Sequence, residues 1–191
     1  MLTLLTLPVN RVNIVNIEEV IVRVLRGRRR ADLASGDEVV VFLIGMRINR
    51  LWQVWRWIPI AAAMPTMITE LVADRSLGLL GQPRTFVSGR TIVVHQYWSS
   101  FEALERYARD RDRRHLPAWR RFNKRVGSDG SVGIFHETYR VTGSTSETLY
   151  ANMPSFGLAQ ATELTEIDEH HQSAAARLGL RVGDASYVET G

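Results

Sequence analysis

Six segments between residues 37 and 141 alternate in hydrophobic pattern, and their order limits the fold more than any other feature of the sequence. The first, residues 37–52 (DEVVVFLIGMRINRLW), is rich in β-branched and aromatic residues, which predicts a core strand. The second, residues 58–74, spaces its apolar residues as a helix does, and Pro59 suits a helix start. We therefore expect the first core helix within residues 59–76.

The later segments continue the pattern. Two β-rich runs, 85–89 and 90–98, are joined tightly at Ser88-Gly89 and predict a hairpin. Ser99, followed three positions later by Glu102, forms a capping-box pattern that predicts the start of a second helix. Helical spacing resumes in HLPAWRRFNKRV before the GSDG turn, the segment SVGIFHETYRV predicts a fourth strand, and SETLYANMP predicts a short fifth strand.

The resulting order, β-α-β-β-α-β, is that of an α+β, ferredoxin-like fold. Such a sheet has one face under two helices and one bare face. Several positions of the bare face are apolar here, and a monomer would leave them exposed. We therefore expect a homodimer that covers this face.

The two ends of the chain differ from this core. Residues 1–36 are interpreted as an N-terminal arm of uncertain structure, because an apolar start is followed by the arginine block RGRRR, of a kind that usually marks a solvated segment. Residues 37–162 form the predicted domain. Residues 163–191 are polar enough to predict a weakly ordered tail.

Composition excludes several classes of protein. Cysteine is absent, which rules out disulfides, a thiolate nucleophile and cysteine-ligated metal clusters, and is typical of a cytoplasmic protein. The apolar run 57–69 is interrupted by prolines and is shorter than the roughly 20 residues that span a bilayer, so no transmembrane segment is expected there. The apolar N-terminus lacks a basic region and a cleavage site, so export is not indicated.

The charge pattern does not favour nucleic acid as a partner. The net charge of +4 comes from 24 basic and 20 acidic residues. The basic residues cluster in 26–30 and 106–125, but Asp110 and Asp112 interrupt the second cluster. A continuous basic footprint is therefore not predicted.

The resumed helix carries the first candidate site residues. His115 and Trp119 are spaced i, i+4, which places both on one helix face with Asn123 beside them. Trp119 favours burial, so this face is expected to meet the sheet. His115 then either packs near the helix start beside Pro117 or faces a small buried pocket as a catalytic group.

The fourth strand carries the second candidate histidine. Alternation places His136 on the same face as Val132 and Ile134, so we expect it to be partly desolvated. Burial keeps an imidazole neutral, which suits a proton acceptor or a metal ligand. The alternative is a core or interface histidine that is hydrogen-bonded to backbone.

The hairpin strand VVHQYW sends His95 and Tyr97 to one face and Gln96 and Trp98 to the other. An amide in an apolar strand needs partners, so Gln96 is a candidate to orient a substrate carbonyl or bound oxygen. Trp98 and Trp119 are candidate walls of the same cavity, although aromatic residues at such spacing also form plain core. The candidate substrate-binding residues are Met46, Tyr97, Trp98, Trp119 and Asn123, and the three tryptophans of LWQVWRW are expected at the cavity mouth or at a subunit contact.

Several stretches resemble a known family: VVVFLIGMRINRLW, MPTMITEL, GLLG, YWSSFEALERYARDRDRRHLPAWRRFN, VGIFHETYRV and YANMPSFGLAQAT. Together, over about residues 37–162, they are similar to the domain family labelled monooxygenase-like after the cofactor-independent monooxygenase of fumagillin biosynthesis. The resemblance implies a dimeric α+β barrel, similar to antibiotic-biosynthesis monooxygenases and more distantly to haem-binding aldoxime dehydratases.

Two classes of function remain open. The first is an oxygenase that acts on a small, largely apolar molecule without flavin or metal. Within it, the residue pattern makes His136 or His115 the candidate base and Gln96 and Asn123 the candidate orienting groups. The alternative is a haem-binding protein or dehydratase-like enzyme with an axial histidine. A non-catalytic dimeric small-molecule binder is the third possibility. No phosphate-binding glycine loop, GxSxG elbow or HExxH pair is present.

Overall fold

The computed structural model describes residues 23–34, 36–110 and 129–180. In these residues, seven strands form two antiparallel sheets. The strands are β1 (Leu25–Asp32), β2 (Glu38–Ile48), β3 (Leu79–Ser88), β4 (Thr91–Trp98), β5 (Val132–Thr142), β6 (Tyr150–Met153) and β7 (Glu163–Glu166). The α-helices are α1 (Val54–Ala61), α2 (Ala63–Ala73), α3 (Phe101–Arg109), α4 (Leu158–Ala161) and α5 (Ala174–Arg177).

The four-stranded sheet has the order β3-β4-β2-β5, and every neighbouring pair is antiparallel. Together with the helices after β2 and β4, this is the predicted ferredoxin-like topology. The two central strands meet in an unbroken register from Val40↔Trp98 to Arg47↔Thr91. That register fixes which side chains of β2 and β4 share a face.

Strand β2 is apolar on both faces because both faces are covered along part of its length. On one face, Val40 packs in a cluster with Leu71, Leu79 and Trp98. On the other, Val39 packs against α4. The continuous run of β-branched residues that predicted this strand is what a central strand requires.

Helices α1, α2 and α3 lie over one face of the sheet. The sequence placed the first helix start at Pro59, but α1 begins at Val54 and contains Pro59. The helical path is interrupted at Ala62 and resumes as α2, which contains Pro65. Pro65 has no backbone N–H to donate to the carbonyl of Ala61, and its ring crowds the preceding turn, which accounts for two short helices instead of one.

The cap of α3 also differs by one residue from the sequence prediction. Ser100, rather than Ser99, is the N-cap, and its side chain accepts a hydrogen bond from the backbone N–H of Ala103. The predicted helix type and extent are otherwise observed, with Ala103 and Leu104 buried against the sheet.

The three-stranded sheet, of order β6-β1-β7, was not expected from the sequence. Its central strand contains the arginine block, which was interpreted as part of a solvated arm. Arg29 forms an ion pair with Glu166 at 2.7 Å, and Arg30 forms one with Asp32 at 3.2 Å. The segment from residue 163 was expected to be a weakly ordered tail, but it contains β7 and α5. The division into 1–36, 37–162 and 163–191 stays a prediction.

Candidate functional site

A cavity lies between the four-stranded sheet and helices α2 and α3. Its free volume is about 30 Å³, which is enough for about two water molecules. Most of its wall is apolar. The lining residues are Phe42, Ile44, Met64, Met67, Leu71, Gln96, Trp98, Leu104, Tyr107 and Ala108.

The sheet contributes one polar group to the described lining of the cavity, the side-chain amide of Gln96. Gln96 is only 4% exposed, and its Oε1 accepts a hydrogen bond from the indole Nε1 of Trp98 at 3.0 Å. Because an indole can only donate, this bond fixes the orientation of the amide and leaves Nε2 as the free end. Within the described part of the chain, Nε2 has no hydrogen-bond partner. The arrangement therefore offers an N–H donor to a ligand.

Trp98 and Tyr107 form the aromatic end of the cavity. Their ring centroids are 5.7 Å apart with an interplanar angle of 38°, and both residues are buried. The hydroxyl of Tyr107 donates to Glu70 Oε2 at 3.2 Å. These contacts hold both rings in place, so that end of the cavity is rigid.

Two methionines of α2 form the opposite wall. Met64 and Met67 line the cavity, together with Leu71 one turn further on. Methionine side chains have several rotatable bonds and adapt to irregular shapes. A ligand larger than the free volume can therefore be accommodated by movement of this wall rather than of the sheet.

His136 differs from the sequence prediction. It lies on the helix-covered face, opposite Ile44 in the register, and its ring centroid is 5.9 Å from that of Phe42. However, its side chain is exposed and does not line the cavity. The expected desolvation is therefore wrong, because β5 is an edge strand and alternation alone does not reveal an edge. His136 therefore lies at the rim of the cavity, beyond Phe42.

Two predicted substrate-binding residues lie elsewhere. Tyr97 points to the opposite face of the sheet, where burial raises its pKa to about 12 and the neighbouring Tyr150 contributes. Met46 is on the helix-covered face but is buried in a separate cluster with Ile48 and Val132. Neither contacts the cavity, so neither is a wall of this site.

The tryptophans of residues 51–57 do not line the cavity either. Trp57 packs against the Met46 cluster and donates its indole N–H to the carbonyl of Leu51. Trp52 and Trp55 are exposed. The remaining candidates, His115, Trp119 and Asn123, lie outside the described residues.

The sequence interpretation missed most of the lining. Met64, Met67 and Leu71 share one helix face by their i, i+3, i+7 spacing, which predicted the helix but not its part in a cavity. Phe42 and Ile44 alternate along β2 in phase with Gln96 and Trp98. Pairing the two strands in register would have identified both, but the register is not readable from one strand.

The described residues also bear on metals and haem. No group of three histidine, aspartate or glutamate side chains suited to a metal ion occurs among them. The haem alternative requires an imidazole in the cavity; no histidine is among the described lining residues, and His115 lies outside the residues that the structure describes. In residues 23–34, 36–110 and 129–180, no helix has the length and hydropathy to cross a membrane.

The sequence matches the model of one protein family. The model of the family described as Monooxygenase af470-like matches residues 39–158. This range covers the ferredoxin-like sheet from the second residue of β2 to the end of β5 and extends to the first residue of α4. No curated protein matches the sequence.

Solved structures with a similar chain path have low sequence identity. A dimeric protein of unknown function with a ferredoxin-like fold from Bacteroides fragilis is 10% identical, covers 55% of this chain and 95% of its own, and has a TM-score of 0.38. SnoaB, a cofactor-independent oxygenase from Streptomyces nogalater, is 11% identical over 55% of this chain and 92% of its own, with a TM-score of 0.39. The aldoxime dehydratase OxdRE is 19% identical over 80% of this chain but only 43% of its own, with a TM-score of 0.49.

Proposed function

Because the chain belongs to the monooxygenase af470-like family, we propose that it is an oxygenase whose substrate is a small, largely apolar organic molecule bound in the cavity under α2 and α3. Family membership supports the oxygenase-type reaction. The apolar lining supports the class of substrate, since such a wall excludes water and offers few partners to a polar molecule. The cavity with the oriented amide of Gln96 in its wall is the observation on which the proposal depends.

The proposed role of Gln96 is to donate a hydrogen bond from Nε2 to the oxygen atom on which negative charge develops. Its Oε1 is already held by Trp98, so the donor is oriented before the ligand arrives. A preorganised donor in a site without bulk water stabilises developing charge more than water does. Trp98 then acts both as a wall and as a positioning residue for the amide.

The proposed chemistry needs no bound flavin or metal, because the substrate supplies the electrons. A base removes a proton from an acidic C–H group, and the carbanion transfers an electron to dioxygen. The two radicals combine to a peroxide, which takes up a proton and then loses water. For a CH₂ group, both hydrogens are lost, one oxygen atom becomes the product carbonyl and the other leaves as water, so atoms and electrons balance.

The base is proposed to be His136 or His115. His136 lies at the rim, where a ligand that extends past Phe42 would reach it. Its exposed position allows the proton to pass on to solvent. Asn123 and Trp119 remain proposed as an orienting group and a wall.

We further propose that the protein is a homodimer. The sheet face opposite the cavity exposes Phe86, Phe135 and Tyr139, and a second copy of this face would cover them. The dimer leaves the cavity within each chain. A cytoplasmic location also remains part of the proposal.

Substitution of Gln96 provides the sharpest test of the site. With purified protein, oxygen uptake is measured on a panel of apolar molecules that carry an acidic C–H group, and labelled dioxygen is traced into product by mass spectrometry. Gln96→Leu is expected to lower kcat about a hundredfold, because one oxyanion donor is lost. Gln172→Leu, at an exposed glutamine outside the cavity, is the matched control and should leave kcat unchanged.

Histidine substitutions test the base. His136→Ala and His115→Ala are each compared with His170→Ala, an exposed histidine in the 3-10 turn Glu169–His171. The variant that lacks the base should lose at least about a hundredfold in kcat. Unchanged turnover in both folded variants would remove both role assignments while leaving Gln96 to be judged by its own variant.

A further inference from the structure

The outward face of α1 is apolar along its whole length. Leu51, Trp52, Trp55 and Ile58 are all exposed, with 70% of Trp52 and 64% of Trp55 accessible. Trp55 and Ile58 are spaced i, i+3, which places them on one side of the helix, and Leu51 and Trp52 belong to the turn before it. Soluble proteins rarely expose two tryptophans in one contiguous patch.

The opposite side of α1 already forms part of the core. Trp57 and Ile60 pack against the buried cluster that contains Met46. The indole of Trp57 also donates to the carbonyl of Leu51 at 3.1 Å, which ties the preceding turn to the helix. The outward face is therefore a surface held in place by the fold and is not needed for the core itself.

Two arginines lie beside the turn that precedes this helix. The carbonyl of Arg50 accepts a hydrogen bond from the backbone N–H of Gln53, the N-cap of α1, at 3.2 Å. Arg90, from the β3–β4 turn, donates from its guanidinium to the carbonyl of Asn49 at 3.4 Å. Among the described residues, neither of these two guanidinium groups forms an ion pair.

The neighbouring Arg56 behaves differently and provides a contrast. Its guanidinium pairs with Asp129 at 2.7 Å. The pKa of the Asp129 carboxyl is lowered, mainly by hydrogen bonds from Ser131 and also by Arg56 and Arg50. One carboxylate therefore interacts with two arginines, and the surface keeps an excess of positive charge beside the exposed tryptophans.

We propose that this surface, the α1 patch, binds peripherally to membranes that contain anionic lipids. The α1 patch comprises Leu51, Trp52, Val54, Trp55, Ile58, Arg50 and Arg90. Tryptophan favours the headgroup region of a bilayer, where its ring is apolar and its N–H remains solvated. Unpaired arginines beside it attract anionic phosphates.

A second copy of the chain fits this surface less well. In a twofold contact the same patch meets itself, which would bring two sets of unpaired arginines together. Like charges across an interface weaken association. A lipid surface supplies the opposite charge along with an apolar layer, so it matches both parts of the patch.

Vesicle binding tests the proposal with the full chain. The protein is sedimented with vesicles of phosphatidylcholine alone and of phosphatidylcholine mixed with phosphatidylserine. It should bind the mixed vesicles more tightly, its binding should fall as sodium chloride is raised, and its tryptophan emission should shift to shorter wavelength on binding. Equal, negligible sedimentation with both vesicles would overturn the proposal.

Variants separate the two parts of the patch. Arg50→Gln and Arg90→Gln should each weaken binding to the mixed vesicles about fivefold. The double variant Trp52→Ser/Trp55→Ser should weaken it about tenfold to a hundredfold and abolish the emission shift. Arg106→Gln and Leu149→Ser, which remove an exposed arginine and an exposed leucine elsewhere, are the matched controls and should bind like the parent chain.

Sedimentation velocity without vesicles tests whether a second copy of the chain, rather than a lipid surface, covers the α1 patch. If the tryptophan double variant changes the oligomeric state while the parent chain ignores both vesicles, the patch is a contact between copies and the lipid proposal is wrong. Circular dichroism and the denaturation midpoint establish that each variant is folded. Loss of vesicle binding in a folded double variant with an unchanged oligomeric state supports the lipid surface.

Discussion

The two faces of the four-stranded sheet are built from the same strands but have different surroundings. On β4, Gln96 and Trp98 point under the helices and are 4% and 0% exposed. The next side chains along the same strand, His95 and Tyr97, point the other way and are only about half buried. Alternation along the strand decides the face, and the layer above it decides the burial.

The face opposite the helices is covered at one end only. Val39 and Tyr97 pack there against Leu158 and Ala159 of α4. Further along, Phe135 and Tyr139 remain exposed. The helix-covered face carries most of the buried core and the proposed ligand site, whereas the open face is the surface proposed to contact a second chain.

The largest expected effect is on the helix-covered face. Trp98→Ala removes an indole that is fully buried and packed against Tyr107. The free energy of unfolding should fall by about 3–5 kcal/mol, as for other buried aromatic truncations. Chemical denaturation followed by circular dichroism measures it.

Tyr139→Ala provides the matched truncation on the open face. Tyr139 is half exposed, and its hydroxyl donates to Glu137 at 2.6 Å. The free energy of unfolding of the isolated chain should change by less than about 0.5 kcal/mol. Equal losses in the two variants would contradict the contrast between the faces.

The second prediction concerns the proposed contact between copies. Phe135→Asp places a charge in the open face, and the dimer dissociation constant should rise about a hundredfold or more. Phe101→Asp, at an exposed phenylalanine on α3, is the control and should leave association unchanged. Sedimentation velocity over a concentration series measures both, and a monomeric parent chain would refute the homodimer.

The sequence predicted which side chains lie on the helix-covered face better than it predicted which strand lies at the edge of the sheet. Periodicity along β4 was enough to assign Gln96 and Trp98 to one face, because a strand alternates whatever its neighbours are. The exposure of His136 was missed because β5 is an edge strand. Edge position depends on strand order, which no single segment encodes.

The second sheet was missed for a related reason. Arg28 pairs with Ala151 and Arg30 pairs with Thr165, so its contacts join segments more than a hundred residues apart. The arginine block suggested a solvated segment, since charge is rare in central strands. The ion pair between Arg29 and Glu166 compensates that charge, but it forms only when β1 and β7 come together.

The third prediction concerns a close contact on the open face. A Cβ added at Gly45 would lie 2.5 Å from Phe135 Cε1 and 2.6 Å from the carbonyl oxygen of Ile92. Gly45→Ala should therefore cost about 1–3 kcal/mol through overpacking. Adding Phe135→Ala should recover only part of this loss, because the ring can be removed but the backbone carbonyl cannot. If Gly45→Ala cost no stability, or if the double variant recovered all of it, the strands on either side of Gly45 would be able to move apart at little cost.

The smallest expected effect is the pH dependence that His95 gives to the open face. Burial lowers the pKa of His95 below its usual value near 6.5, and its Nε2 is buried without a partner. Its ring lies 4.7 Å from that of Tyr97, and Arg84 is opposite it in the register, so no carboxylate at these positions offsets the cost of the charged form. The unfolded chain therefore binds the proton at higher pH than the folded chain does.

This contribution to stability is complete above about pH 6.5 and is lost as the pH falls toward the lowered value. In His95→Phe, which keeps an aromatic ring beside Tyr97, the free energy of unfolding should fall less steeply between about pH 7 and pH 5 than in the parent chain. His170→Phe, at the exposed histidine of the 3-10 turn, corrects for the loss of a histidine in general. The free energy of unfolding could instead change with pH equally in both variants and the parent chain. His95 would then be solvated in solution, and the open face around β4 would be more exposed than the structure shows.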